Sequence, residues 1–167
     1  WQYPALYLAC VRIGAVANPL MPIFRQRELR YMLNFAESRV VIVPARYRDF
    51  DYAAMLAEIR PDLASVRHTF VVNGTGEQSF ERHFLERAWE KETDAAALFR
   101  ARRPGPNDLT ELLYTSGTSG EPKAVMHVSN TLLVMALQYI DWVRLGPQDV
   151  VFMASPLAHQ TGFVYGM

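Results

Sequence analysis

The segment Tyr114-Thr-Ser-Gly-Thr-Ser-Gly-Glu-Pro-Lys123 constrains this chain more than any other. It sets four hydroxyl residues, two glycines and one lysine between apolar runs. Leu112 to Thr115 reads as a strand running into the glycine-rich piece. Ala124 to Val128 alternates as a second strand, with Val125 and His127 on one side and Ala124, Met126 and Val128 on the other. A seven-residue loop, Ser116 to Pro122, then joins two strands. Glycine lets backbone N–H groups turn toward a ligand with no side chain in the way. Hydroxyls add donors, and lysine adds a compact positive charge. The combination suits the oxygens of a di- or triphosphate. On the residues alone, a hairpin loop with no ligand is the other reading.

Two familiar phosphate motifs are excluded. The Walker pattern G-x-x-x-x-G-K-[ST] fails because Gly117 and Gly120 are too close, Lys123 does not follow a glycine, and Ala124 stands where Ser or Thr is required. A Walker loop also leads into a helix, whereas the residues after Lys123 alternate as a strand. The dinucleotide fingerprint G-x-G-x-x-G is absent here too.

Around this loop, helical periods alternate with short apolar runs. Pro4 to Ala15 reads as a buried helix closed by Gly14 and the turn signal Asn18-Pro19. Gln26 to Glu37 places Leu29, Met32, Leu33 and Ala36 on one helical face, and the run Arg39 to Val43 follows as a strand stopped by Pro44. Asp51 to Ile59 is a helix stopped by Pro61, and His68 to Val72 a strand ended by Asn73-Gly74. Ser79 to Lys91 reads as a charged, solvated helix, and Arg100 to Pro106 as a turn-rich connector. After the loop, Ser129 or Asn130 caps a helix to about Arg144 that is apolar nearly all round, which predicts burial. Gly146 and Pro147 stop it, Val150 to Ala154 reads as a buried strand, Ser155 to His159 as a loop, and Thr161 to Gly166 as the start of another helix. The pattern predicts an α/β fold of layered sheet and helices.

The bulk numbers narrow the function classes. With 17 basic and 17 acidic residues, formal charge gives no sign of a nucleic acid or an anionic membrane as partner. No apolar run approaches a membrane span, and no secretory signal precedes the first helix. The single cysteine, Cys10, lies in an apolar run and reads as a core thiol. Only Lys91 and Lys123 accompany fifteen arginines, so a second catalytic lysine would have to be Lys91 or lie elsewhere. The start at Trp1 and the stop just inside a new element suggest a piece of a longer protein.

The run Leu113 to Lys123 resembles the signature phosphate loop of the adenylate-forming superfamily, which includes acyl-CoA synthetases, luciferases and peptide-synthetase adenylation domains. The departure is Ala124, where that family usually has glycine; it is expected to be tolerated unless φ there is positive. Ser155-Pro-Leu-Ala-His159-Gln-Thr-Gly162 resembles the later family motif Pro-Leu-x-His-x-x-Gly in order and spacing, and His127 falls where the family often has a histidine. Leu6 to Pro19 is similar to the family's helix followed by Gly-Ala-x-x-x-Pro.

The resemblance implies that residues 1–167 are part of the large N-terminal AMP-binding domain of an acyl-CoA synthetase, with the C-terminal domain outside the chain. The implied substrates are a carboxylic acid, ATP and CoA, with Mg²⁺ as cofactor and a cytoplasmic location. Thr115, Ser116, Gly117, Thr118, Ser119, Gly120 and Lys123 would hold the phosphates, and Thr118 or a neighbour would be a Mg²⁺ ligand. Lys123 and His159 carry the catalytic expectation; His159 would orient the carboxylate, and Gly162 would leave room for the acyl group. His127 is expected to be structural. The chain alone is expected to form no acyl-adenylate, and its open strand edges to favour self-association. The alternatives are a non-catalytic nucleotide-binding or interaction module, or an adenylation domain of another class in the superfamily.

Overall fold

A computed structural model describes residues 1–115 and 121–167. In chain order the helices and strands are α1 (Gln2–Ile13), α2 (Gln26–Phe35), β1 (Val40–Pro44), β2 (Arg46–Tyr47), β3 (Phe50–Asp51), α3 (Tyr52–Ile59), β4 (His68–Val72), α4 (Trp89–Glu92), α5 (Ala95–Arg102), β5 (Leu109–Tyr114), β6 (Ala124–Val128), α6 (Ser129–Val143) and α7 (Gln160–Gly166). The fold is α/β, as the alternation predicts. The chain divides into two compact units: Ile23–Asp94, and Trp1–Pro22 together with Ala95–Met167.

The unit Ile23–Asp94 is built on β1 and β4, which pair in parallel from Val40↔His68 to Pro44↔Val72. A parallel pair needs a crossover, and α3 lies within it. Asp51 caps α3, its carboxylate accepting from Ala54 N at 2.8 Å. The α2 face read from the sequence buries Leu29, Met32 and Leu33, and α3 adds Met55, Leu56 and Ile59 to the core. The small hairpin β2–β3 has no counterpart in the sequence reading, because strands of two residues carry no period.

The charged helix expected over Ser79 to Lys91 is broken. A five-residue wide turn, Arg82–Glu86, is followed by extended Arg87 and then by α4. The Trp89 indole N–H donates to His83 O at 2.6 Å, engaging a carbonyl that a continuous helix would present to its own backbone. Arg87 lies over the Trp89 ring at 3.7 Å and pairs with Glu92 at 2.5 Å, which holds the break.

In the other unit, α1 ends at Gly14, whose φ of 66° is the left-handed region. A Cβ on Gly14 would stand 2.8 Å from Arg102 O, the last residue of α5. The connector expected from Arg100 therefore begins inside a helix and turns only after Arg102. Tyr7, Leu132, Phe163 and Val164 form the core, gathering α1, α6 and α7. Tyr7 meets Phe163 edge-on at 4.6 Å.

Two expectations fail here. Helix α6 is not buried all round: Leu132 is its one buried residue, while Leu133, Val134, Leu137 and Ile140 are exposed and Trp142 is 82% exposed. Residues 150–154 form no strand, and Val150 and Phe152 are 95% and 90% exposed. Apolar composition specifies burial only where an opposing surface exists. Among the described residues α6 packs on β6 and α7 along one side, and no strand pairs with residues 150–154. Helix α1 is likewise one-sided, burying Tyr7 while Leu8 faces outward.

Candidate functional site

β5 and β6 pair antiparallel, with Leu113 opposite Val125 and Tyr114 opposite Ala124. The ladder continues one step beyond the strands: Thr115 N donates to Lys123 O at 2.9 Å. The Thr115 hydroxyl donates to the same carbonyl at 3.4 Å, a long contact readily exchanged for a better acceptor. Thr115 and Lys123 thus close a neck, and both of their side chains are exposed. The two flanking strands are those read from the sequence. Ser116, Gly117, Thr118, Ser119 and Gly120 lie outside the described residues. Ala124 sits in the ladder and is not among the residues with positive φ, so its methyl group carries no backbone strain there.

A second group lies at the start of α7. His159 is extended, and its Nδ1 accepts from Thr161 N at 3.3 Å, capping the helix. Accepting through Nδ1 leaves the ring proton of the neutral form on Nε2, a donor on an exposed side chain. Gly162 is buried, and a Cβ there would meet Pro156 O at 2.2 Å, Pro156 C at 2.6 Å and Ser155 O at 2.6 Å. Its missing side chain therefore admits the backbone of the loop that carries His159. Helix α7 packs on α6, and no hydrogen bond joins His159 or Gly162 to Thr115 or Lys123 among the described residues.

The structure adds a residue that the sequence reading passed over. Glu111 is completely buried inside β5, and its Oε1 accepts from the Tyr3 hydroxyl at 3.4 Å. Burial pushes its carboxyl up to about 7, with the Tyr3 bond working in the opposite direction. Burial and Glu111 together hold the Tyr3 phenol protonated. Across the ladder stands His127, also buried, and burial lowers its affinity for a proton. The signal lay in the alternation: extending the period-two pattern back from Leu113 puts Glu111 on the inward face. Cys10 is partly buried and its thiol is pushed up by burial, in keeping with a structural role.

The whole chain, residues 1–167, matches the family described as AMP-binding enzyme. The chain belongs to this family. It is 29% identical over 166 residues to the medium-chain fatty-acid–CoA ligase of Escherichia coli strain K12, covering 99% of this chain and 29% of the relative. It is 30% identical over 160 residues to a salicylyl-CoA synthase / salicylate adenylyltransferase of a Streptomyces species, covering 95% of this chain and 29% of that one. Among solved structures, ATP-bound MatB from Rhodopseudomonas palustris is similar at 27% identity with a TM-score of 0.68, over 99% of this chain and 30% of that one. The chain spans about 29% of the length of these two curated relatives. No helix among the described residues is long and apolar enough to cross a membrane.

Proposed function

We propose that this chain is the phosphate-holding part of an ATP-dependent acid–thiol ligase, an acyl-CoA synthetase that forms an acyl-adenylate and passes the acyl group to CoA. The observation that carries the reading is the closed neck Thr115–Lys123 beneath a loop of hydroxyls and glycines. Relatives named as CoA ligases and a similar structure with ATP bound support it.

In the first half-reaction a carboxylate oxygen attacks the α-phosphorus of ATP, and the bond to the bridging oxygen breaks to release pyrophosphate. In the second, the CoA thiol sulfur attacks the acyl carbonyl and AMP departs. The leaving pyrophosphate gathers negative charge, so fixed donors around it stabilise the transition state. Ser116, Gly117, Thr118, Ser119 and Gly120 supply N–H and hydroxyl donors, and Thr115 fixes one end of the loop. Lys123 adds a charge-assisted bond from the other end. His159 offers Nε2–H to the carboxylate, and Gly162 keeps that loop close enough to do so.

Mg²⁺ would reach this chain through Thr118 and otherwise through ATP. The described residues contain no group of three His, Cys, Asp or Glu that could hold a metal, and Mg²⁺ characteristically rides on phosphate oxygens with few protein ligands. When bound, it neutralises phosphate charge.

Residues 1–167 then belong to a larger N-terminal AMP-binding domain, with a C-terminal domain elsewhere in the parent, and the enzyme draws on cytoplasmic ATP and CoA. The test is carboxylate-dependent ATP–pyrophosphate exchange by the full-length protein, with fatty and aromatic acids, followed by acyl-CoA formation. Exchange with AMP as product supports the reading. Release of ADP and phosphate, or no exchange with any acid, overturns it. The isolated chain is expected to show no exchange.

A further inference from the structure

β5 holds two successive buried polar residues, Thr110 and Glu111, where the ladder to β6 slips by one residue. Thr110 is satisfied, its hydroxyl donating to His127 O at 3.2 Å. Glu111 is half satisfied: Oε1 meets Tyr3, while Oε2 is buried with no partner among the described residues. The residue opposite, His127, has the same defect at Nε2. Opposed side chains on an antiparallel pair project to one face with Cβ atoms ~5 Å apart. An unsatisfied buried polar group is costly. A carboxylic O–H and an imidazole nitrogen are complementary, so one rotamer adjustment or one bridging water removes both defects.

We propose that Glu111 and His127 form a buried proton-sharing pair, from Glu111 Oε2 to His127 Nε2, and that Glu111 is the positioning residue that locks β5 against β6 and α1 beneath the nucleotide loop. The neutral pair carries two protons: the carboxyl proton on Oε2, donated toward Nε2, and the ring proton on Nδ1. The groups facing Glu111 are Tyr3 and Tyr7 from α1 and His127 from β6, with Cys10 beside the two tyrosines. The edge piece at Ala17 supplies only backbone, Ala17 N to Thr110 O at 2.8 Å and Leu112 N to Ala17 O at 2.9 Å. No cation among these offsets a buried carboxylate, so loss of the shared proton leaves an isolated negative charge between the strands. The neck at Thr115–Lys123 lies four residues further along β5's path and inherits that disturbance. The mechanistic consequence rests on the phosphate-loop reading; the protonation state does not.

The test uses the full-length protein. Infrared difference spectra, wild type minus Glu111→Gln, should show a protonated carboxyl band at pH 6 that disappears with a midpoint near 7. His127→Leu should shift that band to the frequency of an acid with a lost hydrogen bond, whereas His127→Gln, which retains an acceptor, should restore it. If binding follows the neutral fraction, KM for ATP rises roughly fivefold from pH 7 to pH 8 in the wild type, in addition to any change shared with Glu111→Gln. Glu111→Gln keeps a neutral donor and loses that rise. A carboxylate signal at pH 6, a band indifferent to His127→Leu, or identical KM profiles in the two proteins overturns the proposal. If Glu111→Gln does not fold, the shift of the band in His127→Leu and its return in His127→Gln assign it to the pair. An enzyme inactive on every acid refutes the ligase reading and leaves the infrared result to decide the pair.

Discussion

Gly162→Ala places two opposing effects in one position. Gly162 lies inside α7, and by helix propensity alone alanine there should stabilise by ~1 kcal/mol. The structure predicts the opposite sign. The new Cβ would stand 2.2 Å from Pro156 O and 2.6 Å from both Pro156 C and Ser155 O. All three are backbone atoms, so no side-chain rotation relieves them and the loop must withdraw by ~1 Å to reach ordinary contact. Overpacking of this kind costs ~1–3 kcal/mol, and the rigid neighbour argues for the upper end, leaving a net loss of ~2 kcal/mol after the propensity gain. Urea unfolding of the full-length variant should show that loss at an unchanged slope. Because His159 N is bonded to Pro156 O at 3.0 Å, the same withdrawal should raise KM for the carboxylic acid more than KM for ATP. Gly146→Ala is the control, since its Cβ would meet nothing nearer than Asp149 Oδ2 at 3.6 Å. A Gly162→Ala protein as stable as the wild type or more so, with both KM values unmoved, would refute the close-approach argument.

Other outcomes follow from single contacts. Lys123→Ala should slow ATP-dependent adenylation by the equivalent of ~2–3 kcal/mol of charged hydrogen bond, and an unchanged rate in pyrophosphate exchange contradicts its role. Gly14→Ala should destabilise by at least ~1–2 kcal/mol, because φ is 66° and Arg102 O blocks the Cβ; calorimetry reads the fall in Tm. Asp51→Ala removes the α3 cap and should cost ~1 kcal/mol in urea, whereas Asp51→Asn should recover most of it. The Glu111 carboxyl is raised from 4.5 to about 7, so its contribution is full below the unfolded value and is lost as pH climbs to about 7. Unfolding free energy should therefore fall by up to ~3 kcal/mol between pH 4.5 and pH 7.5 from this group, and the difference between wild type and Glu111→Gln isolates it. A flat difference curve contradicts the buried acid.

The sequence by itself determined those local elements that carry a clear period, including the two strands flanking the glycine-rich segment. Leu29, Met32 and Leu33 at helical spacing, the β-branched run at Val40 and the alternation through His127 each encode a period, and a period needs no knowledge of the rest of the chain. Glycines and hydroxyls between two such strands likewise carry the expectation of a phosphate-type loop without reference to tertiary contacts. What the sequence could not decide was which apolar surface is covered. Helix α6 and residues 150–152 have the composition of buried elements and stand largely exposed, because burial depends on an opposing surface and not on composition. Nor could it show that Gly162 makes way for the backbone of Ser155 and Pro156, or that Glu111 faces His127 and Tyr3 from within β5. Those facts join residues from 6 positions apart for Gly162 and Pro156 to 108 for Tyr3 and Glu111; only packing brings such groups into contact, and for Glu111 it fixes the environment in which the carboxyl holds its proton.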